Sequence, residues 1–230
     1  MNNAPPVILD AGHPCSPLAI PATKTALLLL DFHKFIVASQ PGQGKEVVVS
    51  ATSTREWARK HEIKVVHCLI DLKASTVATR KMASRANQIR DKMSLEPPEH
   101  IGEVEELAAS ADEYVFWRPP SHVSAMGSYG LSTFLEEHQI QSLILAGFST
   151  SGCVINTAKG AADSGFVVTV LEDACGDKMP DAQEVIMKKL LVGQCHVVEH
   201  KKIVEAWDQR DDGNLLTQTA ELSISAGNNI

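Results

Sequence analysis

The sequence predicts an α/β protein with a three-layer α/β/α, doubly wound fold and a mainly parallel six-stranded sheet. Apolar residues run almost without interruption over four stretches of strand length, residues 26–30, 64–69, 142–146 and 167–171. Such runs are typical of parallel strands that are covered on both faces, whereas half-exposed strands alternate. Segments with helical spacing separate the runs, and this alternation of strand and helix predicts the doubly wound arrangement.

Two weaker runs complete the predicted sheet. Residues 113–117 and 196–198 are expected to form its fifth and sixth strands. Residues 73–100 are polar and contain several Lys, Arg and Met residues, so we expect a helix and an excursion over the site there. The segments with helical spacing are about 45–61, 103–110, 131–138, 153–164 and 181–192.

Length and composition predict one domain. With 230 residues and 44% hydrophobic content, the chain can bury one substantial core. We place this domain at residues 25–210. Residues 1–24 contain five prolines, which cannot donate to a hydrogen-bonded ladder, and are expected to form an irregular arm. Residues 211–230 are expected to form a polar tail.

Charge and cysteine content exclude several classes of partner. The formal net charge is -7 and the Lys and Arg residues are dispersed, which argues against nucleic acid or an anionic membrane and favours a small-molecule substrate. Five cysteines without a CxxC pair argue against a disulfide framework and indicate the reduced thiols of a cytoplasmic protein. No basic start precedes a long apolar run, so we expect neither export nor membrane insertion.

Three predicted strand ends carry residues that are suited to chemistry. In doubly wound folds the ligand binds beyond the carboxyl ends of the strands. Asp31 follows the first strand, Arg118 follows residues 113–117, and Cys153 ends the loop that follows residues 142–146. We therefore expect these three side chains at one edge of the sheet.

Cys153 stands at the start of a helical segment. A helix N-terminus favours a thiolate, so we expect a lowered pKa for the Cys153 thiol and a nucleophilic role. The backbone N–H groups at this position can also stabilise an oxyanion. The alternative is a small buried residue without a chemical role, as free cysteines often are.

Asp31 directly follows four leucines at the end of a buried strand. A carboxylate in that position is costly unless it is paired or catalytic. It can accept the thiol proton and pass it to a leaving group. The alternative is a helix N-cap or a turn residue, positions in which Asp is favoured.

Two segments resemble motifs of isochorismatase-like hydrolases. Residues 27–33, LLLLDFH, are similar to the LLVIDMQ opening of that family, and residues 146–154, AGFSTSGCV, with Thr157–Ala158 are similar to its nucleophile loop, AGVATNVCVxxTA. Shorter similarities at residues 124–135 and 165–175 extend the resemblance over about 25–200. The resemblance implies an isochorismatase-like hydrolase domain, and a homo-oligomer, dimer or tetramer, as is common among relatives.

The resemblance also implies roles for individual residues. Cys153 is the nucleophile and Asp31 the acid/base of a Cys, Asp and Lys triad. The family has a cis peptide in the nucleophile loop, which here is Phe148–Ser149. The N–H groups of Ser149 and Cys153 are then the donors of the oxyanion hole.

The sequence departs from the family at the lysine of the triad. The resemblance places Pro120 at that position, and no Lys occurs from Met93 through Gln141. Arg118 is the nearest cation, and along a strand it shares a face with the Pro120 position. Arginine stays protonated, so its role in the triad is expected to be electrostatic. The alternative is a surface arginine beside a Pro-Pro loop.

Further residues next to the strand ends are candidates for substrate contacts. His33 stands where relatives have Gln, and we expect it to orient the substrate or tune Asp31, with an ordinary polar contact as the alternative. An apolar, aromatic-tolerant pocket is predicted from neighbours of the strand ends, with a purely structural role as the alternative: Phe32, Trp117, His122, Tyr129 and Phe148.

No metal or other cofactor is predicted. The nicotinamidase-type relatives bind zinc with an Asp and clustered His residues after the second strand. Residues 71–76 of this chain contain Asp71 but no His, so the resemblance does not extend to a zinc site. His67 lies within a buried strand and is interpreted as structural.

Three functions remain open from the sequence. The first is hydrolysis of a carbon–nitrogen bond in a small amide or ureido compound, with Cys153 as nucleophile and Asp31 as acid/base. The second is isochorismatase-type hydrolysis of a vinyl ether that gives pyruvate, in which Asp31 protonates the substrate and no thiol is needed. The third is a catalytically weakened family member that acts as a binding protein, because the lysine is missing.

Overall fold

In the part of the chain that the structure describes, the sheet has six strands, all parallel, in the order β3-β2-β1-β4-β5-β6. A computed structural model of the chain describes residues 6–40, 42–75 and 81–210. The order reverses between β1 and β4, which lie side by side although five helices and two strands of the described residues separate them in sequence. The predicted doubly wound fold is confirmed. The strands are β1 Thr25–Leu30, β2 Lys64–Ile70, β3 Tyr114–Arg118, β4 Ser142–Phe148, β5 Val167–Gly176 and β6 His196–Val198.

Helices flank the sheet on both faces. Two π-helical turns, Thr150–Val154 and Ile186–Leu190, interrupt the regular pattern, one before α6 and one after α7. Short 3-10 turns lie at Pro17–Ala19, Ala22–Lys24, Glu105–Leu107 and Ala125–Gly127. The helices of the described ranges are α1 Lys34–Ala38, α2 Gly44–Lys60, α3 Lys81–Met93, α4 Pro98–Ile101, α5 Leu131–Glu137, α6 Ile155–Asp163, α7 Pro180–Val185 and α8 over residues 200–210.

The central strand β1 shows why the chain forms three layers. Successive side chains of a strand point to opposite faces, so Leu28 and Leu30 pack with α5 and α6, whereas Leu27 and Leu29 pack with α2 and α8. These leucines are fully buried, and each contributes on the order of 2 kcal/mol to the hydrophobic stabilisation. The apolar run that predicted the strand therefore reflects burial on both faces.

Several predicted helix bounds are corrected by the structure. The helix expected at residues 103–110 is wrong. Val104 N–H donates to the carbonyl of Phe32 (2.9 Å), and Glu103 forms an antiparallel bridge with His33, so only the turn Glu105–Leu107 is helical. Residues 200–210 are helical although we did not predict a helix there; Ile203 and Trp207 of this helix are fully buried.

Two further predicted segments are the region over the site and the C-terminal tail. The region 73–100 contains helices α3 and α4, in agreement with the expected excursion. The proposed tail, 211–230, lies outside the described residues, and the domain bounds stay a prediction. No helix among the residues described is long and apolar enough to cross a membrane.

Candidate active site

The carboxyl end of β1 places Asp31 at the point where the strand order reverses. Its N–H still donates to the carbonyl of Cys68 on β2 (3.0 Å), and at Asp31 the backbone turns out of the strand with a φ of 57°. Aspartate tolerates this left-handed conformation better than most residues. The side chain is buried, so its carboxylate requires a compensating partner.

Arg118, the last residue of β3, is that partner. Its Nη1 donates to Oδ1 of Asp31 over 2.9 Å, and its Nη2 donates to Oδ2. The same Nη2 lies 3.3 Å from Sγ of Cys153, and Nε donates to the carbonyl of His122 over 2.9 Å. Arg118 is 1% exposed, so the alternative of a surface arginine is wrong.

Neighbouring groups keep the Arg118 guanidinium protonated. Burial on its own lowers the pKa of Arg118, but the thiolate form of Cys153 and the carboxylate of Asp31 outweigh burial and raise the pKa above its usual value. Arg118 is therefore a fixed cation next to the thiol and the carboxylate, and it neither gives nor takes a proton.

Cys153 lies in the π-helical turn that precedes α6, and its side chain is buried against Asp31 and Arg118. Burial, followed by the charge of Asp31, raises the pKa of the thiol to about 12. Arg118 and the Thr157 hydroxyl, 3.6 Å from Sγ, lower the pKa but do not compensate. The expected lowering of the pKa is wrong, because desolvation outweighs the effect of the helix terminus. The thiol is neutral near pH 7.

The loop between β4 and α6 brings the thiol to the end of β1. The Phe148–Ser149 peptide is cis, which confirms the expectation from the resemblance. Gly147 has a φ of 146°, and a Cβ there would lie 2.1 Å from the carbonyl oxygen of Leu30, so only glycine allows this approach. The carbonyl of Ser149 accepts from the N–H groups of Gly152 (2.9 Å) and Val154 (3.2 Å). The oxyanion role of the Ser149 and Cys153 amides stays a prediction.

A cavity of about 1050 Å³ opens above Asp31, Arg118 and Cys153. Its size is that of a site for a small molecule. Of the predicted contact residues, Phe148 and His122 line this cavity, and Ser149 of the predicted oxyanion hole lines it as well. Elements α1 and α3 and the loop after β5 supply the rest of its walls.

Trp117 and Tyr129 do not lie in the cavity wall, and their predicted substrate contacts are not supported. Trp117 is 46% exposed and Tyr129 is 65% exposed. Adjacent residues of a strand face opposite sides, so Trp117 points away from the site when Arg118 points into it. Because β3 is an edge strand, that other face is only partly covered.

Phe32 and His33 are structural rather than cavity-lining residues. Phe32 is fully buried and packs edge-on against Phe148, with ring centroids 5.4 Å apart. The His33 ring accepts at Nε2 from the N–H of Ile70 (3.1 Å), so Nδ1 carries the proton and donates to the carbonyl of Ile101 (3.0 Å). Burial lowers the pKa of His33 although Asp31 raises it, which keeps the ring neutral. The expected substrate contact of His33 is therefore not supported.

Asp177 is a cavity residue that the sequence analysis missed. It is buried, its Oδ2 accepts from the N–H of Ser151 (2.6 Å), and its Oδ1 accepts from the N–H of Met179 (3.0 Å). It thereby ties the nucleophile loop to the end of β5. The strand was expected to end at residue 171 but continues to Gly176. With the correct bound, the same strand-end argument would have selected Asp177.

The candidate site contains no obvious cluster of metal ligands. Within residues 6–40, 42–75 and 81–210, no group of three or more His, Cys, Asp or Glu side chains is arranged to hold a metal ion. The donors that meet at the floor of the cavity are one carboxylate, one guanidinium and one thiol.

Comparisons with known proteins agree with this geometry. A family model described as the isochorismatase domain matches residues 25–201. The fold is similar to a cysteine hydrolase from Pseudomonas syringae pv. phaseolicola 1448A, with a TM-score of 0.70 and 15% identity over 83% of this chain and 95% of that chain. It is also similar to an isochorismatase family protein from Burkholderia thailandensis, with a TM-score of 0.68 and 19% identity over 81% of this chain and 96% of that chain. The comparison with curated proteins gave no match.

Proposed function

The chain belongs to the isochorismatase family, and we propose that it is a cysteine-dependent hydrolase that cleaves a carbon–nitrogen bond of a small-molecule amide or ureido compound. One observation carries the proposal. Arg118 contacts both the carboxylate of Asp31 and the thiol of Cys153 at the floor of a cavity of ligand size. A nucleophile, a proton acceptor and a fixed positive charge thus meet where a substrate can enter.

The first half of the reaction forms an acyl-enzyme. The thiol is neutral, so its proton moves to Asp31 as Sγ of Cys153 attacks the carbonyl carbon. The carbonyl oxygen becomes an oxyanion, to which the Ser149 and Cys153 amides donate. As the tetrahedral intermediate collapses, Asp31 gives the proton to the departing nitrogen and the amine or ammonia leaves. A thioester on Cys153 remains.

The second half releases the acid. Asp31 takes a proton from a water molecule, whose oxygen attacks the thioester carbon. Collapse of this second intermediate breaks the carbon–sulfur bond, and the proton on Asp31 returns to the thiolate. Asp31 handles every proton in the cycle.

Arg118 acts in this scheme as a positioned charge. Its guanidinium holds both oxygens of Asp31 and at the same time lies against Sγ, where negative charge develops during attack. It cannot replace Asp31 as a proton carrier, because it stays protonated throughout.

The experiment compares Cys153→Ala and Cys153→Ser with the exposed control Cys15→Ala. The substrates are a panel of small amides and ureido compounds, and the readouts are amine or ammonia release and a covalent mass increase on the peptide that contains Cys153. We expect both Cys153 variants to lose at least about 1000-fold in kcat and to lose the adduct, with Cys15→Ala unchanged. Turnover that survives in Cys153→Ala contradicts the mechanism.

Isochorismatase-type cleavage is the second candidate, because the matching family model is the isochorismatase domain. That reaction needs protonation of a vinyl ether but no thiol, so the two routes separate in the same variants. Pyruvate formed from isochorismate by both wild type and Cys153→Ala assigns the vinyl ether route. Absence of turnover on every compound in the presence of a folded protein assigns a binding role.

A further inference from the structure

We infer that the cavity contains an apolar subsite under helix α3 that accepts a neutral alkyl or aryl group of about six to ten carbon atoms on the substrate. The inference rests on the proposed function for the bond that is cleaved. It adds the class of compound: amides that carry a long apolar group on the side of the scissile bond that faces α3.

Helix α3 presents a mixed face to the cavity, on which apolar side chains form a stripe beside Arg85 and Gln88. Met82, Ile89 and Met93 are seven and four residues apart, a spacing that places side chains on one face of a helix. All three line the cavity that contains Asp31 and Cys153. The stripe therefore lies in the same cavity as the reacting groups.

Apolar side chains from other elements complete the subsite. Phe35 and Ile36 of α1, Ile70 at the end of β2 and Met179 after β5 border the cavity as well. The exposed fraction of Met179 is 46%, which is high for a methionine in a structure that buries its apolar core well. An apolar ligand that covers such surface removes it from water, and this favours binding.

The cavity volume indicates the size of the substrate group that lies beyond the scissile bond. A cavity of about 1050 Å³ exceeds what an acetamide or urea fills and is at the upper end of the range for drug-sized ligands. The scissile group occupies only the floor, where the thiol and carboxylate lie. An extended apolar group is what fills the remaining space against α1 and α3.

The charges at the rim do not oppose an apolar group. Lys34 pairs with Glu105 (3.3 Å), and His100 pairs with Glu96 (3.1 Å). Arg85 and Lys178 also border the cavity, but both are exposed, so their charged ends can stay hydrated while an apolar group lies beside them. None of these side chains needs a ligand charge for compensation, which favours a neutral chain over an anionic one.

A labelling experiment tests the subsite without turnover. N-methyl-, N-butyl- and N-octylmaleimide add to thiols by forming a sulfur–carbon bond, with the proton transferred to the neighbouring ring carbon. The rate at Cys153 is measured by mass spectrometry and divided by the rate at exposed Cys15 in the same chain, which corrects for general effects of chain length. Because burying a methylene is worth about threefold to fourfold, we expect this ratio to rise at least about 30-fold from methyl to octyl.

Two variants of α3 locate the effect. Ile89→Gln introduces an amide into the apolar stripe, whereas Ser84→Gln introduces the same side chain at an exposed position outside the cavity wall. We expect Ile89→Gln to remove most of the chain-length dependence at Cys153 and Ser84→Gln to keep it. A flat ratio in the wild type, or an unchanged rise in Ile89→Gln, overturns the subsite.

The outcome is distinct from that of the proposed function. Hydrolysis of acetyl compounds that depends on Cys153, combined with a flat labelling ratio, rejects the subsite and keeps the hydrolase. A steep labelling ratio in a protein that hydrolyses neither short nor octanoyl amides keeps the apolar subsite and rejects the hydrolase.

Discussion

Arg118 makes contacts that a lysine cannot reproduce. Its planar group donates to both oxygens of Asp31, to the carbonyl of His122 and towards Sγ of Cys153 at once. A lysine has one Nζ at the end of a flexible stem and cannot occupy these positions together. The sequence showed that a cation stands two residues before the expected lysine position. It did not show that the guanidinium contacts both Asp31 and Cys153.

The first prediction concerns Arg118→Lys. We expect kcat/KM to fall by about 100-fold, or about 3 kcal/mol, because a single ammonium cannot hold Asp31 and also stabilise the developing thiolate. Arg59→Lys is the control, since the Arg59–Asp112 pair is exposed at 44% and 64% and lies away from the cavity. If Arg118→Lys is as active as the wild type, only the charge of Arg118 matters and its geometry does not.

The second prediction concerns the pH dependence of Cys153 alkylation. Because the pKa of the thiol is raised to about 12, the thiolate is a small fraction of the population over the pH range of the experiment. The rate of reaction with iodoacetamide should rise about tenfold per pH unit from pH 7 to 10 without a plateau. A plateau near pH 8.5, measured at the Cys153 peptide, would show an ordinary thiol pKa.

Among the elements, the loop between β4 and α6 is the one that assembles the site. Gly147 allows β4 to approach the end of β1, and Asp177 at the end of β5 holds the N–H of Ser151. The apolar runs predicted β1, β2 and β4 because both faces of these strands are buried. The end of β5 was missed because its last residues, Glu172 to Gly176, mix charged and small side chains and give no apolar run.

The third prediction tests this approach with Gly147→Ala. The new Cβ would lie 2.1 Å from the Leu30 carbonyl oxygen, at a φ that L-residues avoid, so we expect the free energy of unfolding to fall by at least about 3 kcal/mol. Gly193→Ala is the control, because nothing lies within 4 Å of its Cβ position. Urea unfolding of the two variants provides the measurement, and equal midpoints would contradict the close approach.

On the scale of the whole molecule, a largely buried chain of polar contacts connects α2, β2 and the loop before β3. Arg55 donates to both oxygens of Glu113 (2.7 and 2.6 Å), and His67 lies between Glu113 (3.2 Å) and Glu103 (2.8 Å). The sequence interpretation of His67 as structural agrees with this position. Its partners could not be predicted, because they lie 36 and 46 residues away along the chain in segments without a regular pattern.

The fourth prediction concerns Glu113→Gln. Although burial raises the pKa of Glu113, hydrogen bonds from Arg55 and Ser110 lower it to about 2. The folded-state pKa thus lies below the value of about 4.3 in an unfolded chain. The stabilisation is complete above that value and is lost as the pH falls towards 2.

We therefore expect Glu113→Gln to cost about 2–4 kcal/mol in the free energy of unfolding at pH 7, because Arg55 and His67 lose a buried partner. The difference from the wild type should shrink between pH 4.5 and 2. Asp112→Asn, next to it in sequence but paired in solvent, serves as the control and should change stability little. Urea unfolding of the wild type and Glu113→Gln over this pH range provides the measurement. A difference in unfolding free energy that does not vary with pH would contradict the charged role of Glu113.

The His33 ring joins the two ends of the segment between Ile70 and Ile101, since it contacts the backbone of both residues, and residues 82–100 of this segment contribute to the cavity wall. The chain between these two residues begins and ends at one fixed point beside Asp31. We expect changes of length or sequence inside this loop to stay local and to leave the position of the Asp31 carboxylate unchanged. We therefore expect that this segment can be exchanged, in evolution or by design, so that a different compound enters while the reaction stays the same.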